Sequence, residues 1–558
     1  MKDKVVQLIS DATGIDKKQI ESLIEVPKDS KLGDFAFPCF SLSRELKKSP
    51  VEIAKELVNK VKTGKEFEKI LAQGPYLNFF LNKNLLADDV LSKIQKEKDK
   101  YGSSKLSKNK AMIEFSQANT HKAFHVGHIR GTSFGESIAR IFEFLGNKSI
   151  RANYQGDTGM HVAKWIWCYK KYHSKEKLKE DESWVASIYV DAVRKLGDDE
   201  ALQEEVNEIN QKLESGKDKE LMKLWKETRD LCLKALEKVY KELNTKFDRY
   251  YFEREVEIPG KEIAQNLVKE GIAKVSDGAT IMDLNDLSLS VWVLLRKDGT
   301  VLYSSKDLAL AMLKFKEYKL DRSINIVADE QNLHFKQLFK TLELMKFKDV
   351  KKCQHIPYAL VRLPEGKMSS RTGNNILYSD FMKEMKDYAK SEIIKREKVP
   401  EKELEERALK ISVAAIKYAM LKQHSNSVIV FNKEEALNFE GNTGSYLLYS
   451  YARAKSIIKK AKYKKSSYKI DSINEKEKTL INQLNNFPEV VQHSYEQLSP
   501  NLIANYAFEL SQSFNEFYHS SQVIGSKEEQ FRLSLVSCFS QVLKNALGLL
   551  GIDVIEKM

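Results

Sequence analysis

The chain has 558 residues, 42% of them hydrophobic, and a formal charge of +13 from 92 Lys and Arg against 79 Asp and Glu. That length allows two or three domains, and no apolar run reaches membrane-spanning length, which argues against a helical membrane protein. The five cysteines form no C-x-x-C pair, which argues against a zinc cluster or disulfide framework.

The basic excess suits a polyanionic partner, and equally a lysine-rich solvated surface. Met1-Lys2-Asp3-Lys4 leads straight into an amphipathic pattern. With neither a secretory nor a transit segment, the expected compartment is the cytoplasm.

Residues 1–83 read as a small separate α/β unit. Val5, Val6, Leu8 and Ile9 suggest an opening helix. The spacing of Val51, Ile53, Ala54, Leu57 and Val61 predicts a second helix, and the aromatic run 76–81 predicts a strand. Residues 84–110 read as the linker, charged and polar from Lys93 to Lys110 and helical in the first part of that run. At Ala111 the texture changes. Residues 111–115 predict a short apolar strand, and 128–145 a helix with Phe134, Ile138, Ile141, Phe142 and Leu145 on one face. Residues 150–154 predict the next strand. This is a β-α-β crossover, the unit of a parallel sheet that binds ligands beyond its strand C-termini.

Residues near 170–245 are helical and highly charged, and read as an insertion. The alternation resumes at 300–303, predicted as a strand, with a helix from about Lys306. Residues 324–327 and 332–345 repeat the pair. Beyond 380 the chain reads as almost wholly helical. The expected architecture is therefore α/β: a Rossmann-type parallel-sheet domain over 111–400 carrying the insertion, a small N-terminal α/β domain, and a C-terminal all-α bundle over 401–558.

Two distant segments carry the chemistry. His125-Val126-Gly127-His128 falls between a predicted strand and helix, and Lys367-Met368-Ser369-Ser370-Arg371 is a polar loop with two cations. Histidines at a helix N-terminus suit phosphate or adenine, with Gly127 allowing close backbone approach. Cations on a loop suit the charge that develops as pyrophosphate leaves. Taken alone, the histidine pair reads more readily as structural or incidental, and the partial metal site that its spacing would allow on a helix has no third ligand nearby.

Glu114, Asn119 and Lys122 surround the first segment, and Tyr303 and Asp307 sit four apart after the next predicted strand. Two converging carboxylates clamp a guanidinium bidentately, and a salt bridge to one of the many lysines is the competing reading. Gln331 and His334 follow the strand at 324–327, where a doubly wound sheet binds ligands or where Asp329 and Glu330 cap a helix. Gly156-Asp157-Thr158-Gly159 reads as a tight turn. Tyr446, Tyr449 and Arg453 share a helical face, either core or a surface for unstacked bases.

Glu114-Phe115-Ser116, Asn119, Lys122 and His125 to Arg130 together resemble the signature of class I aminoacyl-tRNA synthetases in their arginyl form. Gly156 to Gly159, the Gly441-to-Arg453 stretch and the 543–552 ending resemble the same family, as do 35–40 and 75–81 at the N-terminus. The resemblance runs end to end and implies an arginine–tRNA ligase activity. One departure stands out. The class loop is Lys-Met-Ser-Lys-Ser, and its second lysine is replaced here by Ser370, leaving Lys122, Lys367 and Arg371 as available cations.

By resemblance, the catalytic set is His125, His128, Lys122, Lys367 and Arg371. ATP falls to His125, Gly127, His128, Lys367, Met368, Ser369 and Ser370. Arginine falls to Glu114, Ser116, Asn119, His125, Tyr303, Asp307 and Gln331. The tRNA falls to Tyr76 and Asn78 at its D-loop and to Tyr446, Tyr449, Arg453 and Met558 at its anticodon. ATP is expected as substrate, accompanied by Mg2+, with no zinc or other resident metal. The expected partner is tRNA(Arg), with no membrane and a monomer favoured over a dimer. The family trait of activating arginine only with tRNA bound is carried over. The rivals are a class I relative charging lysine, glutamate or cysteine, and a non-catalytic tRNA-binding derivative.

Overall fold

The computed structural model describes residues 2–27, 29–62, 64–105, 108–362, 364, 377–466 and 468–558. Lys367, Met368, Ser369, Ser370 and Arg371 lie outside the described residues. The chain divides into two compact units, each drawing on separate stretches of sequence.

One unit comprises Met1–Lys98, Ala461–Asn485 and Ser513–Cys538. Its sheet is antiparallel, with Tyr76–Leu81 between Phe35–Pro38 and Phe67–Gln73. The helix Pro50–Lys60 shows why it starts where it does. Pro50 opens it, and Ser49 and Glu52 exchange side-chain and backbone bonds in a capping box. Its buried Ile53, Ala54 and Leu57 form the inward face. Phe35–Pro38 and Phe67–Gln73 are strands that the sequence pattern does not announce, since each has charged or polar neighbours breaking its alternation.

The other unit comprises Asp99–Lys460, Asn486–Gln512 and Phe539–Met558. Its main sheet has five strands in the order Cys353–Tyr358, Arg322–Ala328, Lys110–Glu114, Lys148–Gln155, Arg249–Phe252, and every neighbouring pair is parallel. Ala111, Met112 and Ile113 are fully buried, as a central parallel strand with covered faces requires. The strand order reverses between Lys110–Glu114 and Arg322–Ala328, where Glu114 lies opposite Asn325. A doubly wound sheet places its ligand crevice at that switch point. The crossover helix Val126–Phe144 packs hard on the chain beside it. A Cβ at Gly135 would come within 2.1 Å of Phe115 Cγ, so no larger residue fits.

Four helices, Met160–Tyr172, Glu182–Leu196, Glu200–Ser215 and Lys219–Glu242, separate the strands Lys148–Gln155 and Arg249–Phe252. Trp165, Trp167, Trp184 and Trp225 centre their own apolar core. One sequence expectation is corrected. Residues 300–303 are not a strand of the parallel sheet: Val301 makes a single bridge to Leu295, and Tyr303 already opens the helix Tyr303–Tyr318. The extended segments nearby instead form an antiparallel meander of Lys274–Ser276, Ala279–Asp283 and Val291–Leu295. Downstream, Glu401–Leu421, Gly444–Lys460, Glu475–Gln497, Asn501–Ser520 and Glu529–Leu549 make the C-terminal region helical. No helix among the described residues is long and apolar enough to cross a membrane.

Candidate active site

The loop leaving Lys110–Glu114 is wound unusually tightly. Ser116, Gln117 and His121 have φ of 78°, 47° and 58°, a left-handed conformation that non-glycine residues adopt at a cost of order 1 kcal/mol each. Buried side chains hold it there. The Ser116 hydroxyl lies 3.0 Å from Tyr240 Oη and accepts from Thr132 Oγ1 at 2.9 Å. His121 is fixed between Thr120 and Thr228. Phe124 donates its backbone N–H to Glu182 Oε1 at 2.9 Å. Glu182, Thr228 and Tyr240 all come from the helical insertion, so the insertion is the loop's brace.

The loop ends at His125, the N-cap of Val126–Phe144, where a helix offers unpaired N–H groups and positive potential. The rings of His125 and His128 are 3.9 Å apart, and Phe124 stacks on His128 at 5.0 Å. His128 Nδ1 accepts from the His125 backbone N–H at 3.2 Å, which leaves Nε2 carrying the proton as a donor. Burial, reinforced by Lys122, lowers His125 to about 4. Burial, then His125 and Lys122, holds His128 well below the usual histidine range. Both rings are therefore neutral at physiological pH. Lys122 is itself pulled down by burial and by Lys164, with Glu253 opposing. Leu377 forms a backbone bridge with His125, so the chain that follows the cationic loop returns to the histidine motif.

The second part of the site is a cavity of about 120 Å³ at the sheet's switch point. Glu114, Asp307 and Gln331 line it together, with Gln117, Tyr154, Lys314 and His334 among its other walls. Glu114 is only 4% exposed and pairs with Lys314 at 2.6 Å. Lys314 also donates to Asn325 Oδ1 at 3.0 Å. Asp307 Oδ2 accepts from His334 Nε2 at 2.6 Å. Gln117 Nε2 and the Tyr154 hydroxyl are buried without a hydrogen-bond partner, which among largely apolar walls marks a place for a polar ligand group. Tyr303 packs its ring 4.8 Å from His334 and stays 56% exposed, at the rim of this cluster.

Of the expected arginine ligands, Ser116, Asn119, His125 and Tyr303 are not among these walls; Tyr303 only meets one of them, His334, and His125 sits at the helix cap. Ser116 is committed to Tyr240 and Thr132. Asn119 accepts from the Gly156 N–H at 3.0 Å, tying its loop to the Gly156–Gly159 turn. A Cβ at Gly156 would lie 2.6 Å from Asn119 Oδ1, so a larger residue there would push that side chain off its bond. Asp157, buried in that turn, is raised to about 6 by burial against the backbone N–H of Arg254 and the guanidinium of Arg229.

Lys314, Tyr154 and Gln117 are wall residues that sequence reading did not single out. Lys314 had a readable signal: Asp307, Leu310, Ala311 and Lys314 follow i, i+3, i+4, i+7 spacing, one face of one helix.

The expected tRNA contacts are distributed. Tyr76 is half-buried and meets Phe40 edge-on at 5.8 Å, while Asn78 is 3% exposed and donates to Gln73. Tyr449 is 39% exposed with the Arg453 guanidinium over its ring at 4.6 Å, and Tyr446 packs against Phe508. Met558 is partly exposed at the C-terminus.

Three family models cover most of the chain: the catalytic domain of class I (R) tRNA synthetases over 90–432, the DALR anticodon binding domain over 447–558, and the arginyl tRNA synthetase N terminal domain over 1–81. The arginine–tRNA ligase of Clostridium perfringens is 38% identical over 567 aligned residues, with both chains covered in full. That of Clostridium acetobutylicum is 37% identical over 564, again covering both chains. Among solved structures, Thermus thermophilus arginyl-tRNA synthetase superposes with a TM-score of 0.82 at 25% identity, covering 100% of each chain.

Proposed function

The chain belongs to the arginyl-tRNA synthetases of class I, and from that premise we propose that it is an arginine–tRNA ligase whose amino acid pocket is the cavity at the switch point. The observation that carries this reading is the shared wall: Glu114 from one strand end and Asp307 from a separate helix line one cavity. A guanidinium presents five donors in a fixed fork and suits two carboxylates, whereas an ammonium is a point charge. Gln331 and the partnerless Tyr154 hydroxyl supply further polar contacts.

The arginine carboxylate oxygen attacks the α-phosphorus of ATP. The bond to the β-phosphate oxygen breaks, and pyrophosphate leaves. A ribose hydroxyl of the terminal tRNA adenosine then attacks the activated carbonyl and displaces AMP. The protein's contribution is positioning and charge stabilisation. His125 and His128, neutral and at a helix N-terminus, are donors to the triphosphate. Lys122 is the cation beside them, and Lys367 and Arg371 complete the set by the family pattern. Mg2+ accompanies the ATP phosphates as their counter-ion. Tyr76 of the 1–83 region meets the tRNA D-loop, with the buried Asn78 positioned behind it by its bond to Gln73, and Tyr446, Tyr449, Arg453 and Met558 of the 401–558 region meet the anticodon. The segment 84–110 connects the first of these regions to the 111–400 catalytic domain.

The test is ATP–pyrophosphate exchange driven by arginine or by lysine, with and without tRNA(Arg). Exchange is expected with arginine and tRNA, and not with lysine. Asp307→Ala is expected to lose arginine-driven exchange by about a thousandfold or more while ATP binding survives. Normal arginine-dependent exchange in that variant would remove Asp307 from the pocket.

A further inference from the structure

The helical insertion gathers three metal-ligating side chains that adenylate formation does not use. We propose that Cys168, His173 and Asp191 form a mononuclear site for a zinc-class transition-metal ion, joining the helices Met160–Tyr172 and Glu182–Leu196. Cys168 lies near the end of the first helix, His173 is its C-cap residue, and Asp191 comes from the second. The donor atoms all lie within 4.8 Å of one another. Asp191 Oδ2 is 3.6 Å from Cys168 Sγ and 3.0 Å from His173 Nε2. A tetrahedral ion with zinc-like bond lengths sets its ligand atoms roughly 3.4 Å apart, and the two observed separations bracket that value.

The surroundings are built as a ligand shell is. His173 Nδ1 sits 2.6 Å from Glu176 Oε1, the carboxylate partner that orients a metal-bound imidazole. Glu176 is held in turn by Trp184 Nε1 at 2.9 Å. Arg194 takes the other oxygen of Asp191 at 2.6 Å, leaving Oδ2 to face the sulfur and the imidazole. Mixed sulfur, nitrogen and oxygen donors select zinc or cobalt over magnesium or calcium. Sequence spacing hides such a site, because its ligands come from two helices rather than from a Cys-x-x-Cys pair.

The rival reading is an imidazolium held between two carboxylates. Burial and Asp191 push the Cys168 thiol up to about 12. Burial pulls His173 down, and Glu176 and Asp191 together raise it above its ordinary value. Lys195, 3.8 Å from Asp191 Oδ2 and 4.3 Å from the Tyr172 ring, adds a competing cation. A metal ion must displace both protons and turn Lys195 aside, so its affinity rises with pH. The consequence reaches beyond the insertion. Glu182, on the same helix as Asp191, receives the Phe124 N–H next to the histidine motif.

The full chain, stripped with a chelator, is titrated with Co2+ alone. The expected result is a sulfur-to-cobalt charge-transfer band with the visible spectrum of a four-coordinate ion, saturating at one ion per chain and displaced by Zn2+. Cys168→Ser is expected to lose the charge-transfer band. Glu176→Gln is expected to keep it with affinity weakened about 10- to 100-fold. No band in the unmodified chain overturns the site and leaves the imidazolium reading. A band that persists in Cys168→Ser, with an unchanged circular dichroism spectrum, overturns it by locating the metal at another cysteine.

Discussion

Glu114 already has a cation. Lys314 reaches it from the helix that carries Asp307, and both side chains are buried. A buried carboxylate deprived of its partner is strongly unfavourable, whereas removing both members of a pair is often nearly neutral. Lys314→Met is therefore expected to destabilise the protein by about 3 kcal/mol and to raise the KM for arginine about tenfold or more, with the KM for ATP unchanged. Glu114→Gln combined with Lys314→Met is expected to restore most of the stability and none of the arginine affinity. Equal melting temperatures for Lys314→Met and the parent would show that the pair does not stabilise the fold. The residue types of this site were legible in the chain: two acids, a histidine pair and their order relative to the strands. Their partners were less so. The Lys314 pairing needed the helical register of 307–314 to be followed as a face. The Tyr154 hydroxyl needed the neighbouring strand's alignment, which only the sheet supplies.

The strained loop at 115–125 has a brace, and that brace titrates. Glu182 opens an insertion helix and accepts the Phe124 N–H, and burial raises its carboxyl to about 7. A folded pKa raised above the unfolded value of 4.5 means the folded state holds a proton that the unfolded state releases. That stabilisation is complete below about 4.5 and is lost as pH rises through about 7. A glutamine keeps the acceptor and cannot ionise. Glu182→Gln is accordingly expected to gain stability over the parent between about pH 5 and about pH 8, by roughly 1–3 kcal/mol. Thermal melts at both ends of the range check it, and a difference that ignores pH would mean that Glu182 is not the titrating brace. A second tie holds the start of the helix Val126–Phe144. Arg130, fully buried one turn past His125, donates to the carbonyls of Ala359, Leu360, His424 and Ser425. At this scale the crossover 110–155 was readable because apolar runs and helical periodicity agree there. The 300–303 segment misled because three extended residues ahead of a helix serve as well for one bridge and a helix cap as for a strand.

At the scale of the whole chain, neither compact unit is a single stretch of sequence. The first 98 residues share a unit with 461–485 and 513–538, more than 360 residues downstream. Specific side chains make that association. Asp34 receives the Leu81 N–H at 2.9 Å through one oxygen and Lys478 at 2.9 Å through the other, with both side chains largely buried. Asn84 donates to the Ile470 carbonyl and Gln95 to Ser534. The sequence pattern shows an N-terminal α/β region and a C-terminal helical one, because periodicity is local. It cannot show that they share a core, because nothing local encodes the pairing of residue 34 with residue 478. Asp34→Ala leaves one backbone N–H and one lysine without partners, and is expected to cost about 2–4 kcal/mol. If the two stretches unfold as one cooperative body, the effect reaches both. Hydrogen exchange is then expected to quicken together in peptides from 2–98 and from 461–485. Faster exchange confined to the strands around residues 34 and 81, with 461–485 as protected as before, would mean that the downstream helix holds its fold without the N-terminal module.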